Sequence, residues 1–172
     1  LFAQWRPIGP DYNPGFGTGR IECIAFDPGF DGNRNKIMYA GSPTGGLWKS
    51  KDAGKTWSNK EVSTDGLSYI GIADIAINPS DPKIIYIAQG TRYSIKYPFF
   101  LKVYKSVNGG KNWEEASSGI SLPLDSAQHI SRILIDTENP QELYVATSGG
   151  IFRSRNSGSS WKLILKGNYH GL

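Results

Sequence analysis

The sequence predicts an all-β fold made of four-stranded antiparallel sheets that repeat along the chain. Three observations support this prediction: one motif occurs three times, apolar segments precede each copy at similar distances, and Gly, Pro, Asn and Asp separate those segments. The motif reads Ser-x-Asp/Asn-x-Gly-x-x-Trp, and its copies cover residues 50–57, 106–113 and 154–161. Because each unit of a repeat architecture packs against its neighbours, the size of the unit decides the fold.

The distance between copies indicates the type of repeat. The motif serines, Ser50, Ser106 and Ser154, are 56 and 48 residues apart. A four-stranded β-propeller blade has roughly this length, about 40–50 residues in well-known families, whereas most helical repeats are shorter. We therefore predict about three consecutive propeller blades. A propeller typically closes its ring with about four to eight blades, so these blades form part of a ring.

Each predicted blade contains four strands in the same order. The first is an isoleucine-rich segment that ends at Asp or Asn, at 21–27, 72–78 and 130–136. The second follows at 36–41, 83–88 and 142–146, and the third ends at the motif serine, in segments 47–50, 103–106 and 151–154. A fourth strand is predicted to begin at each motif tryptophan. β-branched and aromatic residues are enriched throughout, as expected for strands.

The repeat divides one propeller domain into four segments. Blade 1 is predicted at 19–66, blade 2 at 67–122, and blade 3 with the start of a further blade at 123–172. Residues 1–18 contain Trp5-Arg-Pro-Ile-Gly9 and are predicted to supply the outer strand of a flanking blade and its lead-in. Each blade buries both faces against neighbours, so further blades of the same or a longer chain are expected as packing partners.

The motif itself is predicted to be a structural turn. The Ser and Asp or Asn side chains can accept hydrogen bonds from nearby backbone N–H groups, the glycine suits a positive φ, and the tryptophan can bury its ring between sheets. These roles need no catalysis. The motif residues are Ser50, Asp52, Gly54, Trp57, Ser106, Asn108, Gly110, Trp113, Ser154, Asn156, Gly158 and Trp161.

The motif resembles the Asp-box of BNR-repeat β-propellers, a superfamily that includes sialidases, xyloglucan-degrading glycosidases, sortilin-type receptors and a photosystem assembly factor. Copy 50–57 matches the Asp-box pattern in full, while Asn108 and Asn156 replace Asp in the other copies. With the segments 5–10 and 39–50, the chain is most similar to secreted propeller proteins of Bacteroidetes-type bacteria exported by type IX secretion. In this superfamily the boxes lie on the outer rim, away from the axial face where ligands bind.

The resemblance implies a non-catalytic binding propeller of a secreted or cell-surface bacterial protein, periplasmic in transit, that recognises a protein or a polysaccharide. One alternative is a glycoside hydrolase of the xyloglucanase type, with catalytic carboxylates partly outside this segment. A second alternative is an envelope assembly factor. Propellers support many functions, so the choice depends on the site and not on the fold.

One insertion breaks the repeat and is the predicted binding surface. Residues 91–100 of blade 2 have no counterpart in the equivalent turns of the other blades, and they concentrate aromatic rings beside two cations. Exposed aromatic clusters often mark binding sites for sugars or peptides. The alternative is that the rings fold inward and plug the blade. The predicted binding residues are Arg92, Tyr93, Lys96, Tyr97, Phe99 and Phe100.

Catalytic residues are not marked by any motif. A glycosidase needs two carboxylates that converge on the substrate, and the candidates in predicted axial-face loops are Asp65 and Asp125. Asp74 lies within a predicted inner strand. Arg20 and Arg132 occupy matching places in their blades, which favours a structural role for both.

Composition argues against several classes of ligand. The formal net charge is +4, but Lys and Arg are scattered and form no basic run interleaved with aromatic residues, so nucleic acid is not an expected partner. No apolar run is long enough to span a membrane. His129 and His170 lack companion ligands at metal spacing, so no metal and no cofactor are predicted. Cys23 is interpreted as a small buried hydrophobic residue.

Overall fold

The computed structural model describes residues 20–90, 102–121 and 128–169. Their regular structure consists of eleven β-strands. The strands are β1 Cys23–Phe26, β2 Met38–Ser42, β3 Gly46–Ser50, β4 Ile72–Ile77, β5 Ile85–Gln89, β6 Val103–Ser106, β7 Glu114–Glu115, β8 Ile130–Ile135, β9 Leu143–Thr147, β10 Gly150–Ser154 and β11 Lys162–Lys166. None of the described segments forms a helix long and apolar enough to cross a membrane.

The strands form three antiparallel sheets in which each strand pairs with the next along the chain. The orders are β1-β2-β3, β4-β5-β6-β7 and β8-β9-β10-β11. In blade 1 the expected fourth strand is reduced to one bridge between Lys49 and Ser58. The chain turns directly afterwards. This turn is closed by a 3.0 Å hydrogen bond from the N–H of Val62 to the carbonyl of Asn59. This early turn distinguishes blade 1 from blades 2 and 3.

The sheets pack face to face, with their first strands adjoining. β4 contacts both β1 and β8, so these strands form the inner side of the arrangement and the fourth strands form its outer edge. One apolar cluster joins blades 1 and 2 and includes Ile85 and Ile87, while a second joins blades 2 and 3 and includes Leu143 and Val145. These four side chains are fully buried. Burial of such a side chain contributes roughly 1.5–3 kcal/mol.

Apolar side chains are also exposed on the two outward faces of this row of sheets. Ile24 and Phe26 on β1 are about half exposed, as are Leu163 and Leu165 on β11. Leu134 on β8 is exposed as well. Within the described ranges these faces have no covering sheet, in contrast to the two interfaces of blade 2.

Candidate functional site

The three motif turns have nearly the same hydrogen bonds. In each copy the serine Oγ accepts a hydrogen bond from the N–H of the motif glycine four residues later, at 2.8, 2.9 and 3.0 Å. The glycines have φ values of 84°, 88° and 83°, a left-handed conformation that glycine adopts without steric cost. The pairs are Ser50 with Gly54, Ser106 with Gly110, and Ser154 with Gly158.

The Asp or Asn of each motif closes the same turn from the other side. Its Oδ1 accepts the N–H of the residue four positions later, at 2.8 Å for Asp52 and 2.9 Å for Asn108 and Asn156. Asp52 also accepts a 2.6 Å hydrogen bond from the hydroxyl of Thr56. This side-chain bond, aided by the Thr56 N–H and by Ser50, lowers the pKa of Asp52 to about 2. The carboxylate is therefore committed to the turn.

The motif tryptophans differ in what their indole N–H groups contact. Trp161 is buried and donates a 2.7 Å hydrogen bond across the blade interface to the carbonyl of Ala116 in blade 2. Trp57 donates to the carbonyl of Gly54 within its own turn, at 3.0 Å. The buried Nε1 of Trp113 has no acceptor among the described residues. Only the third motif thus links two blades through its indole nitrogen.

The loop face is the end of the blades that carries the connections between second and third strands and between one blade and the next. In the described residues it comprises 42–46, 63–71, the base of the insertion at 89–90 and 102, and 147–150. The predicted binding residues of the insertion, from Arg92 to Phe100, lie outside the described residues. Its base is well defined, because the N–H of Gln89 donates to the carbonyl of Lys102 at 2.8 Å.

Polar contacts tie the base of the insertion to the neighbouring loops. Gln89 is fully buried; its Oε1 accepts the hydroxyl of Ser68 at 3.1 Å and its Nε2 donates to the carbonyl of Tyr69. The Ser68 hydroxyl lies 3.2 Å from that of Tyr104. The hydroxyl of Tyr69 donates to the carbonyl of Pro43 at 3.2 Å. Loops of blades 1 and 2 therefore share one hydrogen-bonded platform.

Of the two predicted catalytic carboxylates, only Asp65 lies among the described residues. Asp65 is exposed on the loop between blades 1 and 2, where its backbone N–H donates to the Ser63 hydroxyl at 3.3 Å. Asp125 lies outside the described residues. The buried Asp74 accepts a 3.0 Å hydrogen bond from the N–H of Ile133 and lies 3.7 Å from the guanidinium of Arg132. Asp74 thus joins the inner strands of blades 2 and 3.

The remaining titratable residues noted in the sequence have structural contacts. Arg20 precedes β1 and forms an ion pair with Glu22 at 2.5 Å, whereas Arg132 lies within β8, so the prediction that they occupy matching places in their blades is wrong. His129 is buried on the loop face, where its backbone N–H donates to the Ser148 hydroxyl at 3.3 Å and its Nε2 lies 3.3 Å from the carbonyl of Tyr169. His170 lies outside the described residues. Among the residues that the structure describes, no group of three or more His, Cys, Asp or Glu could hold a metal ion.

Comparison with known proteins relates the chain to much longer proteins. No family model matches it. Among curated proteins, it is 28% identical over 149 residues to xyloglucanase Xgh74A of Acetivibrio thermocellus, which covers 81% of this chain and 18% of that protein. It is 26% identical over 158 residues to a xyloglucanase of a Paenibacillus species, covering 87% and 15%. The chain spans less than a fifth of the length of these curated relatives.

Solved structures settle the fold. The GH74 xyloglucanase of Xanthomonas campestris superposes with a TM-score of 0.64 at 23% identity, over 93% of this chain and 22% of that chain. YCF48 bound to D1 peptide gives a TM-score of 0.54 at 18% identity, over 90% and 44%. The chain folds as β-propeller blades. The predicted fold class, an all-β partial propeller of antiparallel blades, is confirmed.

Proposed function

We propose that this propeller segment recognises a polysaccharide through its loop face and has no catalytic role of its own. The observation that carries the proposal is the platform formed by Gln89, Ser68, Tyr69 and Pro43, which fixes the base of the aromatic insertion against the loop of blade 1. A loop whose base is already ordered loses less entropy when it binds. Aromatic rings on such a loop suit the apolar faces of sugars.

The surroundings of the described candidate carboxylates favour a binding role over hydrolysis. A glycosidase places two carboxyl groups roughly 5–9.5 Å apart on either side of the scissile bond. Both oxygens of Asp74 face structural partners, Ile133 and Arg132, so this side chain is a poor general acid or base. Asp65 is solvent-exposed and lies outside both blade interfaces.

Xyloglucan is the first polysaccharide to test, because the curated relatives are named for an activity on it. The full chain should migrate more slowly in a native gel that contains xyloglucan than in a gel without it. It should release no reducing ends from xyloglucan. Mixed-linkage glucan and soluble cellulose derivatives serve as controls for backbone recognition. A protein that binds such a polysaccharide would act outside the cell, so an extracellular location is part of this proposal. If reducing ends appear and Asp65→Asn or Asp125→Asn abolishes them, the glycosidase alternative replaces this proposal.

A protein partner is the second candidate function. The observation that favours it is the structural likeness to YCF48, which was solved with a peptide bound. An envelope assembly factor of this kind would bind an extended protein segment and none of the three polysaccharides. Failure of all three in electrophoresis, together with saturable binding of a peptide array, would support this second function and exclude the first.

A further inference from the structure

Two clefts occupy the same place in blades 1 and 3, on the outer edge beside the motif turn. Cleft 1 has a volume of about 220 Å³, and cleft 3 about 260 Å³. Cleft 1 is lined chiefly by Lys49, Lys51, Trp57, Ser58, Lys60 and Glu61. Cleft 3 is lined by Arg153, Arg155, Asn156, Ser160, Trp161 and Lys162. Both lie away from the loop face, so nothing in this inference depends on the function proposed above.

The two clefts share a charge pattern that blade 2 lacks. The residue before each motif serine is a cation in all three blades: Lys49, Lys105 and Arg153. The residue after the serine is a cation in blades 1 and 3, as Lys51 and Arg155, and is Val107 in blade 2. The residue after the motif tryptophan is Ser58, Glu114 and Lys162. Blade 2 therefore replaces one cation of the clefts by an apolar side chain and adds a carboxylate.

The cation before the serine has a structural contact in blades 1 and 2. Lys105 lies over the ring of Tyr86, 5.6 Å from its centroid, and donates to the carbonyl of Ser157 in blade 3 at 3.2 Å. Lys49 lies 5.3 Å from the ring centroid of Tyr39 in the same way. Packing against a tyrosine ring thus explains why a cation occupies this position in blades 1 and 2.

Folding does not account for the cation after the serine. The side chain of Lys51 is 60% exposed and that of Arg155 is 69% exposed. Exposed ion pairs contribute little to stability, and blade 2 forms the same turn with Val107 at this position. Lys51 and Arg155 are therefore available for a role other than stabilising the fold.

Carboxylates of the chain itself already pair with cations of both clefts, which indicates the ligand chemistry. Lys51 pairs with Glu61 at 2.5 Å. Glu142 lies 3.7 Å from Arg153 and 3.8 Å from Arg155. Cleft 1 is lined by three cations and Glu61, and cleft 3 by three cations with no carboxylate among its lining residues, so positive charge is in excess in both. Burial lowers the pKa of Lys49; among the charged groups around it, Glu61 and Asp27 raise that pKa, while Lys51 and Lys111 lower it.

We propose that clefts 1 and 3 bind an acidic polysaccharide, with one uronate unit in each cleft. The clefts are smaller than the roughly 300–1,000 Å³ pockets that enclose whole drug-sized ligands, so each suits a single unit of a polymer. In cleft 1 the partly exposed Trp57 offers an apolar surface for a sugar ring beside cations for its carboxylate, whereas in cleft 3, where Trp161 is buried, the cations hold the carboxylate. A polymer with regularly spaced charges can occupy both clefts, which raises its affinity by multivalency.

The test compares two double variants of the full chain that remove the same charge. Lys51→Val with Arg155→Val gives both clefts the valine that blade 2 has at this position, whereas Arg34→Val with Lys83→Val removes two exposed cations that line neither cleft. Isothermal titration with polygalacturonate should show a roughly two- to thirtyfold loss of affinity for the first pair, because each exposed ion pair contributes a modest factor. The second pair should change affinity less than twofold. Both should keep the melting temperature of the parent chain.

A gain-of-function variant and a polypeptide probe complete the test. Val107→Lys with Glu114→Ser should build a third cleft in blade 2 and raise the affinity for polygalacturonate. Equal losses for the two double variants, or no binding of polygalacturonate at all, would overturn the proposal. Tighter binding of poly-glutamate than of polygalacturonate would also overturn it, because the occupant would then be an acidic protein segment.

Discussion

The carboxylate of Asp74 on β4 accepts a hydrogen bond from the backbone N–H of Ile133 on β8, at 3.0 Å and 59 residues away in sequence. Both strands have a register shift next to this contact, between Ile72 and Asp74 and between Ile130 and Arg132. Such bulges interrupt the ladder of backbone hydrogen bonds. A side chain of one blade thus satisfies a backbone donor of the next.

Asp74→Ala should destabilise the fold by roughly 1–3 kcal/mol, since it leaves a buried N–H without an acceptor. Asp74→Asn keeps an oxygen at this position and should cost less. Asp65→Ala is the matched control; because Asp65 is exposed, its free energy of unfolding should change by no more than about 0.5 kcal/mol. Chemical denaturation of the three variants measures these differences. Equal stability of Asp74→Ala and Asp65→Ala would contradict the structural role.

Asp52 should make the stability of blade 1 pH-dependent, whereas Asn108 and Asn156 cannot do so at the same position. Its folded-state pKa is lowered from 3.8 to about 2, first by the Thr56 hydroxyl. A carboxyl with a lowered folded pKa adds stability above its unfolded pKa, and this is lost as pH falls through the folded value. Relative to Asp52→Asn, the parent chain should therefore lose stability between about pH 4 and pH 2.

Blade 3 supplies the reciprocal variant for this pH prediction. Asn156 donates from Nδ2 to the Ser160 hydroxyl at 2.9 Å, and Ser160 occupies the position of Thr56. The hydroxyl can reverse its role and donate to a carboxylate, so Asn156→Asp should fold and acquire the same pH dependence. Urea unfolding from pH 2 to pH 7 measures both variants. A parent chain and Asp52→Asn that respond identically to acid would refute the lowered pKa.

The motif tryptophans should differ in their sensitivity to replacement by phenylalanine. Trp161→Phe removes the N–H that donates to Ala116 and leaves that carbonyl without this donor. Trp113→Phe removes a buried N–H that has no acceptor among the described residues. Both changes remove similar ring volume, so their difference isolates the hydrogen bond and should be roughly 1–2 kcal/mol. Thermal unfolding followed by tryptophan fluorescence provides the measurement. A larger loss for Trp113→Phe would argue against an inter-blade role of the Trp161 indole.

The strands could be predicted from the repeat, because the local sequence of apolar and turn residues determines where each strand lies. The segments that end at Ser50, Ser106 and Ser154 form β3, β6 and β10. The missing fourth strand of blade 1 was not predictable from the shared motif, since the turn at Asn59 follows the motif tryptophan sooner than the turn at Ser117 does in blade 2. The partner of Asp74 could not be found either, because the contact requires the bulges of two neighbouring blades.

The charge difference between the edge clefts and blade 2 is visible in the sequence alone. Aligning the three motifs shows that Val107 interrupts a position where Lys51 and Arg155 carry charge. A motif defined by the residues that its copies share leaves out this difference in charge. That these cations line a cavity with a tryptophan required the structure, because cleft 1 includes Lys60 and Glu61 from the turn that distinguishes blade 1.

The aromatic insertion should be a binding surface whose loss leaves the fold intact. Tyr97→Ala with Phe99→Ala removes two rings from the segment attached to Gln89 and Lys102. If these rings contact a polysaccharide, its binding should weaken by roughly 1–3 kcal/mol, the range of interface hot spots. The unfolding midpoint should barely change, since the base of the loop keeps its hydrogen bonds to Ser68 and Tyr69.

The alternative, that the rings plug blade 2, makes the opposite prediction for the same double variant. Buried aromatic side chains cost roughly 3–5 kcal/mol each when truncated to alanine, so the unfolding midpoint would fall steeply. Binding by the fraction that remains folded would then be unchanged. Tyr69→Phe provides a control on the platform, because it removes only the hydroxyl that donates to Pro43. Denaturation and affinity electrophoresis on the double variant separate the two roles, and a loss of stability without a loss of affinity would reject the binding assignment.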